Sequence, residues 1–261
     1  MESFENIELV TKGSLATLIL KRPQARNSMT VQMGQEIVRA VATINSNPEI
    51  RVVLVRGAGK DFSAGGDLEM IRDKAKATPQ VNYESMLKFY GYFLTIRDLR
   101  IPSLAVMHGW SVGAGVCFAA ACDFRIAAAN ARFSLNFVRL GLPPGMGGTH
   151  LIPKLVGQAK ANELLLTGKV FDAVEAHRIG LVNEIVPEAE LDNCAQRWAQ
   201  EISLAAPLPV RLTKEAIRLE QTLEKTLQAE AKGQALSYNT DDLTEGVRAM
   251  VEKSIPQFKG H

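Results

Sequence analysis

Two short glycine-bearing junctions are places where backbone, rather than side chains, could do chemistry. The first is Ser63-Ala64-Gly65-Gly66-Asp67-Leu68, between a strand-like run and a helix start. Small residues there let another backbone or a ligand approach closely, and Asp67 suits the capping of exposed helix amides. The second is His108-Gly109-Trp110-Ser111-Val112-Gly113-Ala114-Gly115, where a strand feeds a helix of Ala, Gly and Cys. Amides at a helix N-terminus point outward unpaired and favour negative charge. One N–H from each junction would hold a developing oxyanion. Tight turns with small residues for packing would look the same, so each junction alone fits either reading. A third cluster, Pro143 to Thr149, marks a loop before another helix. None is a nucleotide motif: Gly113-Ala114-Gly115 lacks the G-x-G-x-x-G spacing, and no G-x-x-x-x-G-K-[ST] occurs. No His/Cys/Asp cluster has metal-ligand spacing, so no metal is expected.

The elements that must position these junctions alternate in type. Ile7 and Leu9, then Leu15, Thr17 and Ile19, read as a hairpin turning at Lys12-Gly13. Thr30 stands as an N-cap before Ile37, Val38, Val41 and Ile44, with Pro48 as the stop. Val52 to Val55 suits a strand buried on both faces. Residues 72–82 are polar and mixed and are expected as a mobile surface segment. A helix is expected over about Tyr83–Leu99, on which Tyr83, Leu87, Tyr90 and Leu94 share a face that reads as core packing. Strands follow at Ser103–Met107, Phe124–Ala127 and Ala131–Ser134, with a tightly packed helix at Gly113–Cys122. This alternation gives an α/β fold with crossover connections. Beyond residue 150 the pattern is nearly all helical, including one long helix near Val210–Gln228 whose start Pro207 and Pro209 cap.

Composition narrows the function classes. The 30 Lys+Arg against 28 Asp+Glu leave a net charge of +2, which disfavours a role driven by bulk attraction to nucleic acid or membrane. No apolar run reaches the length of a membrane span, and the N-terminus reads as neither a secretory signal nor a transit peptide. Three scattered cysteines, Cys117, Cys122 and Cys194, fit a reducing compartment, so the expected location is the cytoplasm.

The order of the three glycine clusters, preceded by Arg22-Pro23-Gln24-Ala25-Arg26-Asn27, closely resembles the crotonase superfamily, the enoyl-CoA hydratase/isomerase family. The resemblance runs from the hairpin through Thr167-Gly168 and Gly180-Leu181-Val182 to Phe258-Lys259. It implies a spiral of ββα units with a helical C-terminal trimerisation region, residues 1–200 forming the α/β core and 201–261 the helical part of the same unit. It implies a homotrimer or homohexamer that acts on acyl-CoA thioesters, stabilises a thioester enolate, and needs no cofactor beyond the coenzyme A of the substrate. By resemblance, Gly66 and Ala114 supply the oxyanion-hole amides. Ala25 and Arg26 match the adenine-contacting loop, Ala64, Asp67 and Leu68 flank the pantetheine arm, and Lys259 matches a lysine that reaches a CoA phosphate. Trp110 matches an aromatic position and either walls the acyl pocket or packs ordinarily.

The chain departs from the pattern where it matters most. The two glutamates used by family hydratases match Cys117 and Phe137, and a catalytic aspartate of other relatives matches Gly145. Hydration needs one group to activate water and one to deliver a proton. Decarboxylation of a malonyl-type thioester, which makes an enolate without a base, or isomerisation with a remote carboxylate such as Glu69, is therefore expected ahead of hydration. The alternatives are a silent acyl-CoA binding protein and a hydratase using other residues. Cys117 reads as a reactive thiol or, more simply, as a packing residue. Asn136 and Arg139 flank Phe137, and His108 is expected to be structural.

Overall fold

The computed structural model of the chain describes residues 3–218 and 222–260. Strands β1 (Ile7–Lys12) and β2 (Leu15–Leu20) form the expected hairpin, with Gly13 at φ +57° in its turn. Helix α1 (Val31–Ser46) begins where Thr30 Oγ1 accepts the Met33 N–H at 3.2 Å, and its buried stripe is Met33, Ile37, Ala40, Val41 and Ile44. Strand β3 (Val52–Gly57) then runs parallel to β2, as a crossover connection requires. Helices α2 (Leu68–Lys74) and α3 (Pro79–Leu94) precede β4 (Ser103–Met107), β5 (Trp110–Val112), α4 (Ala114–Ala121), β6 (Phe124–Ala128) and β7 (Arg132–Ser134). Among the described residues these strands, with β8 (Val170–Asp172) and β9 (Glu184–Val186), form two sheets: β1-β2-β3-β4-β6-β9 and β5-β7-β8. Isolated bridges Met29–Gly66 and Ser63–Ser111 continue the second layer, so successive ββα turns lay their loops side by side. This is the α/β spiral that the resemblance implies.

Alternation along β3 divides the core. Val53 and Val55 pack toward α1 and α4, while Val52 and Leu54 face Leu191, Cys194, Ala195 and Ala199 of α8 (Leu191–Ser203). All eight residues of α4 are buried, as its Ala- and Gly-rich composition requires. Helices α5 (Gly148–Val156), α6 (Gln158–Thr167) and α7 (Ala173–Arg178) follow the third glycine cluster, and α9 (Pro207–Arg218), α10 (Leu223–Ser237) and α11 (Asp241–Glu252) close the chain. Helix α9 is held by a buried ionic cluster: Lys214 Nζ and Arg218 Nη2 each donate to Asp123 at 2.7 Å.

Residues 72–82 lie at the surface as expected and hold the end of α2, a turn, and the first turn of α3, which Thr78 caps. The C-terminal half is nearly all helical as expected, with the short strands β8 and β9 completing the two sheets. Two expectations are corrected. The face of α3 turned inward is Asn82, Met86, Phe89 and Phe93, while Tyr83 and Leu87 are exposed. The long helix near Val210–Gln228 is broken at Thr222, whose extended backbone caps α10; residues 219–221 of that stretch lie outside the described residues.

Candidate active site

The loop from Arg22 to Ser28 is fixed by a fully buried Asn27. Its Oδ1 accepts the Arg22 N–H at 2.9 Å, and its Nδ2 donates to the carbonyls of Ala58 and Asp61 at 2.8 Å each. Arg26 and Asn27 both lie in the left-handed region, at φ +53° and +55°, a conformation that Asn adopts more readily than most residues. The Arg26 guanidinium donates to Asp61 at 2.7 Å, and Asp61 also accepts the Trp110 N–H at 2.8 Å. Burial pushes the Asp61 carboxyl up, but Arg26 and the Trp110 amide outweigh it and hold it below the usual range. This loop is thereby tied to both glycine junctions.

In the first junction nearly every amide is engaged. Ser63 N–H donates to Trp110 O (3.2 Å), Ala64 N–H to Arg26 O (2.8 Å), Gly65 N–H to Ser63 Oγ (3.2 Å) and Asp67 N–H to Met29 O (3.1 Å). Among the described residues, the Gly66 N–H has no acceptor. In the second junction Trp110 N–H donates to Asp61, Val112 N–H to Ser63 O (2.9 Å) and Gly113 N–H to Ser134 O (2.7 Å). The Ala114 N–H, first in α4, has no acceptor among them either. The two junctions touch: a Cβ on Gly65, at φ +85°, would stand 2.5 Å from Val112 O and 3.3 Å from Ala114 N. One on Gly115 would stand 2.8 Å from Ser63 O, so α4 can seat against the first loop only with glycine there.

Gly66 and Ala114 both line one cavity of about 780 Å³, within the range of small-molecule sites. Asp67 braces its rim: Oδ1 caps α2 by accepting Glu69 N–H (3.1 Å) and Met70 N–H (3.3 Å), and Oδ2 accepts from Ser28 (2.8 Å) and Arg22 (3.4 Å). Burial pushes the Asp67 carboxyl up, yet these donors hold it below the usual range. Apolar groups, including Met86, Phe89, Phe137, Pro144 and Met146, form much of the remaining wall. Low-dielectric walls strengthen the pull of fixed amide dipoles on a developing negative charge.

A family model described as enoyl-CoA hydratase/isomerase matches residues 10–261. The chain belongs to the enoyl-CoA hydratase/isomerase family. It is 35% identical over 259 residues to a crotonyl-CoA hydratase of Syntrophomonas wolfei, covering 98% of each chain. It is 33% identical over 257 residues to an (E)-benzylidenesuccinyl-CoA hydratase of Thauera aromatica, covering 97% of this chain and 99% of that one. The crystal structure of an enoyl-CoA hydratase from Bacillus anthracis superposes with a TM-score of 0.92 at 33% identity, covering 98% of this chain and 100% of that one.

Within this family frame, Ala25, Arg26, Ala64, Gly66, Asp67, Leu68, Ala114 and Phe137 all line the cavity. Trp110 and Lys259 do not. Trp110 borders a smaller neighbouring hollow with Arg139 and Gly168, while Val112, two residues on along the same face of β5, lines both that hollow and the cavity. Lys259 is drawn to α11, where its N–H donates to Asp242 at 2.6 Å beside Glu245 and Arg248. Cys117 is walled off: burial pushes its thiol up to about 12, so it is neither thiolate nor proton carrier near neutral pH. Its role is packing, with its sulfur 3.0 Å from where a Cβ on Gly148 would be. His108 is structural as expected, its Nε2 lying 3.0 Å from Gly59 O. Tyr90 packs against the core as its spacing implied, and it also lines the cavity beside Met86 and Phe89, a place that sequence reasoning missed. The signal was the i, i+4, i+7, i+8 spacing of Asn82, Met86, Phe89 and Tyr90.

Proposed function

We propose that this chain binds an acyl-CoA thioester with its carbonyl oxygen between the amides of Gly66 and Ala114, and makes an enolate there by losing CO₂ or, in a double-bond shift, by giving up an α proton to a remote carboxylate such as Glu69. The convergence of two acceptor-less amides on one cavity carries this reading. In decarboxylation the bond from the α carbon to the carboxylate breaks, its electron pair enters the enolate, and CO₂ leaves; no base is required. Water addition is disfavoured because it needs a base and an acid where, by the resemblance, family hydratases place their two glutamates. The two positions that the resemblance assigns to glutamates hold Phe137, which has no titratable group, and the occluded Cys117. The CoA end would run past Ala25 and Arg26, with Ala64, Asp67 and Leu68 along the pantetheine arm. Lys259 would reach a phosphate only from outside this cavity. This chemistry needs no cofactor beyond the substrate's own CoA, and the cytoplasm is its proposed setting.

Leu223, Leu227 and Leu236 of α10 and Val247, Met250 and Val251 of α11 are exposed, and covering them supports a homotrimer or a pair of trimers. A stable monomer at micromolar concentration in sedimentation would contradict this.

The chemical test is a mass-spectrometric screen against crotonyl-, 3-enoyl-, malonyl-, methylmalonyl- and aryl-CoA. Loss of CO₂ or a moved double bond is expected. Rapid gain of water by crotonyl-CoA would overturn the preference against hydration, and tight binding with no turnover would make the chain an acyl-CoA binding protein.

A further inference from the structure

The cavity's proton-bearing side chains differ in their partners. Arg26 is engaged by Asp61, Ser28 and Asp67 by each other, and Lys74 by Ser85. Among the titratable ones, Glu69 and Tyr90 have no side-chain hydrogen-bond or ion-pair partner within the described residues; the carboxamides of Gln24 and Asn136 are also unpartnered but do not give up a proton. Glu69 is exposed in the first turn of α2, where water screens it. Tyr90 is half-buried on α3 among Met86, Phe89, Phe137 and Met146.

The third glycine cluster is shaped around this hydroxyl. A Cβ on Gly145 would collide with the Tyr90 hydroxyl oxygen and stand 2.8 Å from the ring carbon that bears it. Glycine at 145 therefore leaves room for the phenol, and any side chain there would displace it. Behind the wall lies the Cys117 sulfur, which offers the phenolate no stabilising charge. Burial pushes the Tyr90 phenol above its ordinary value, so it keeps its proton across the neutral range. A polar group in an apolar wall without a protein partner is left to meet a ligand.

We infer that Tyr90 is the proton donor of this site, delivering its hydroxyl proton to the α carbon of the enolate held at Gly66 and Ala114. This rests on the thioester-enolate reading above. The phenol O–H bond breaks and a C–H bond forms at the α carbon. The enolate's electron pair moves into that bond, the thioester carbonyl re-forms, and the phenolate regains a proton from water at the cavity mouth. The transfer runs downhill, because the α carbon of a thioester enolate is far more basic than a phenolate.

The test compares wild type, Tyr90→Phe and Ala114→Pro in D₂O, with methylmalonyl-CoA followed for CO₂ release and propionyl-CoA followed for exchange of its α hydrogens toward alkaline pD, where the phenolate that must accept the α proton grows in. Wild type should place deuterium on one face of the α carbon in both cases. Tyr90→Phe keeps the ring and the fold. It should label both faces equally as water takes over, and exchange roughly 100-fold more slowly. A variant that still labels a single face at the wild-type rate overturns the assignment to Tyr90 and leaves the oxyanion reading intact. Wild-type turnover that Ala114→Pro does not reduce overturns the oxyanion reading instead. A wild type that neither releases CO₂ nor exchanges overturns both.

Discussion

Ala114→Pro separates folding from chemistry at the oxyanion site. Ala114 is the first residue of α4, where proline is tolerated because the N–H has no helical partner to lose. That N–H also has no other acceptor among the described residues. The residue before it, Gly113, sits at φ +52° and ψ −115°, a glycine-only extended conformation away from the α region that proline disfavours in its predecessor. The stability cost should therefore stay within about 1 kcal/mol. Removing one oxyanion donor, by contrast, costs about 2.7–4 kcal/mol in the transition state, or 10²–10³ in kcat. The assay pairs urea unfolding with turnover of whichever thioester the wild type processes fastest, and Ala114→Gly, which keeps the N–H, serves as the control. A folded Ala114→Pro protein that turns over within threefold of wild type would refute the role of this amide.

Other consequences are independent of that variant. Gly65→Ala would place a methyl 2.5 Å from Val112 O at φ +85°, so the two junctions must separate; stability should fall by about 1–3 kcal/mol and kcat by roughly 100-fold, read by unfolding and kinetics. Cys117, with its thiol pushed up to about 12, should resist iodoacetamide at pH 8 in the native protein, and Cys117→Ala should keep turnover; fast native labelling would contradict its occlusion. Asp61, Asp67 and Asp123 are all held below the usual carboxylate range. The stability they contribute is thus present above the unfolded value and lost as pH falls through their folded values, which places acid unfolding below about pH 4. Asp123→Asn leaves the buried Lys214 without its counter-ion and should cost about 3–5 kcal/mol, with hydrogen exchange in α9 rising first.

What the sequence revealed and what it hid have physical causes. The glycine junctions were legible because close backbone approach admits few residue types, and Gly65 and Gly115 occupy the two closest contacts between the loops. The hairpin, the Thr30 cap and the α4 helix were legible because each is specified locally. Strands β8 and β9 were not, since three residues are too few to show alternation and their pairing partners lie 36 or more residues away. The inward face of α3 was misread because apolar residues surround that helix: Tyr83 and Leu87 are exposed while Met86, Phe89 and Tyr90 close the cavity. Apolar residues on a helix record burial in the core, against a ligand or against another subunit, and their type alone does not separate the three. The placement of Trp110 and Lys259 was likewise invisible, because it depends on where along β5 the two neighbouring hollows divide and on the Asp242 contact at α11.

The most direct measurement is a crystal structure of the protein with a bound CoA thioester. The account predicts the thioester oxygen within about 3.1 Å of both the Gly66 and Ala114 nitrogens. The acyl group should reach Phe137 and Tyr90. A carbonyl oxygen bound away from both amides, with the acyl chain outside this cavity, would contradict it.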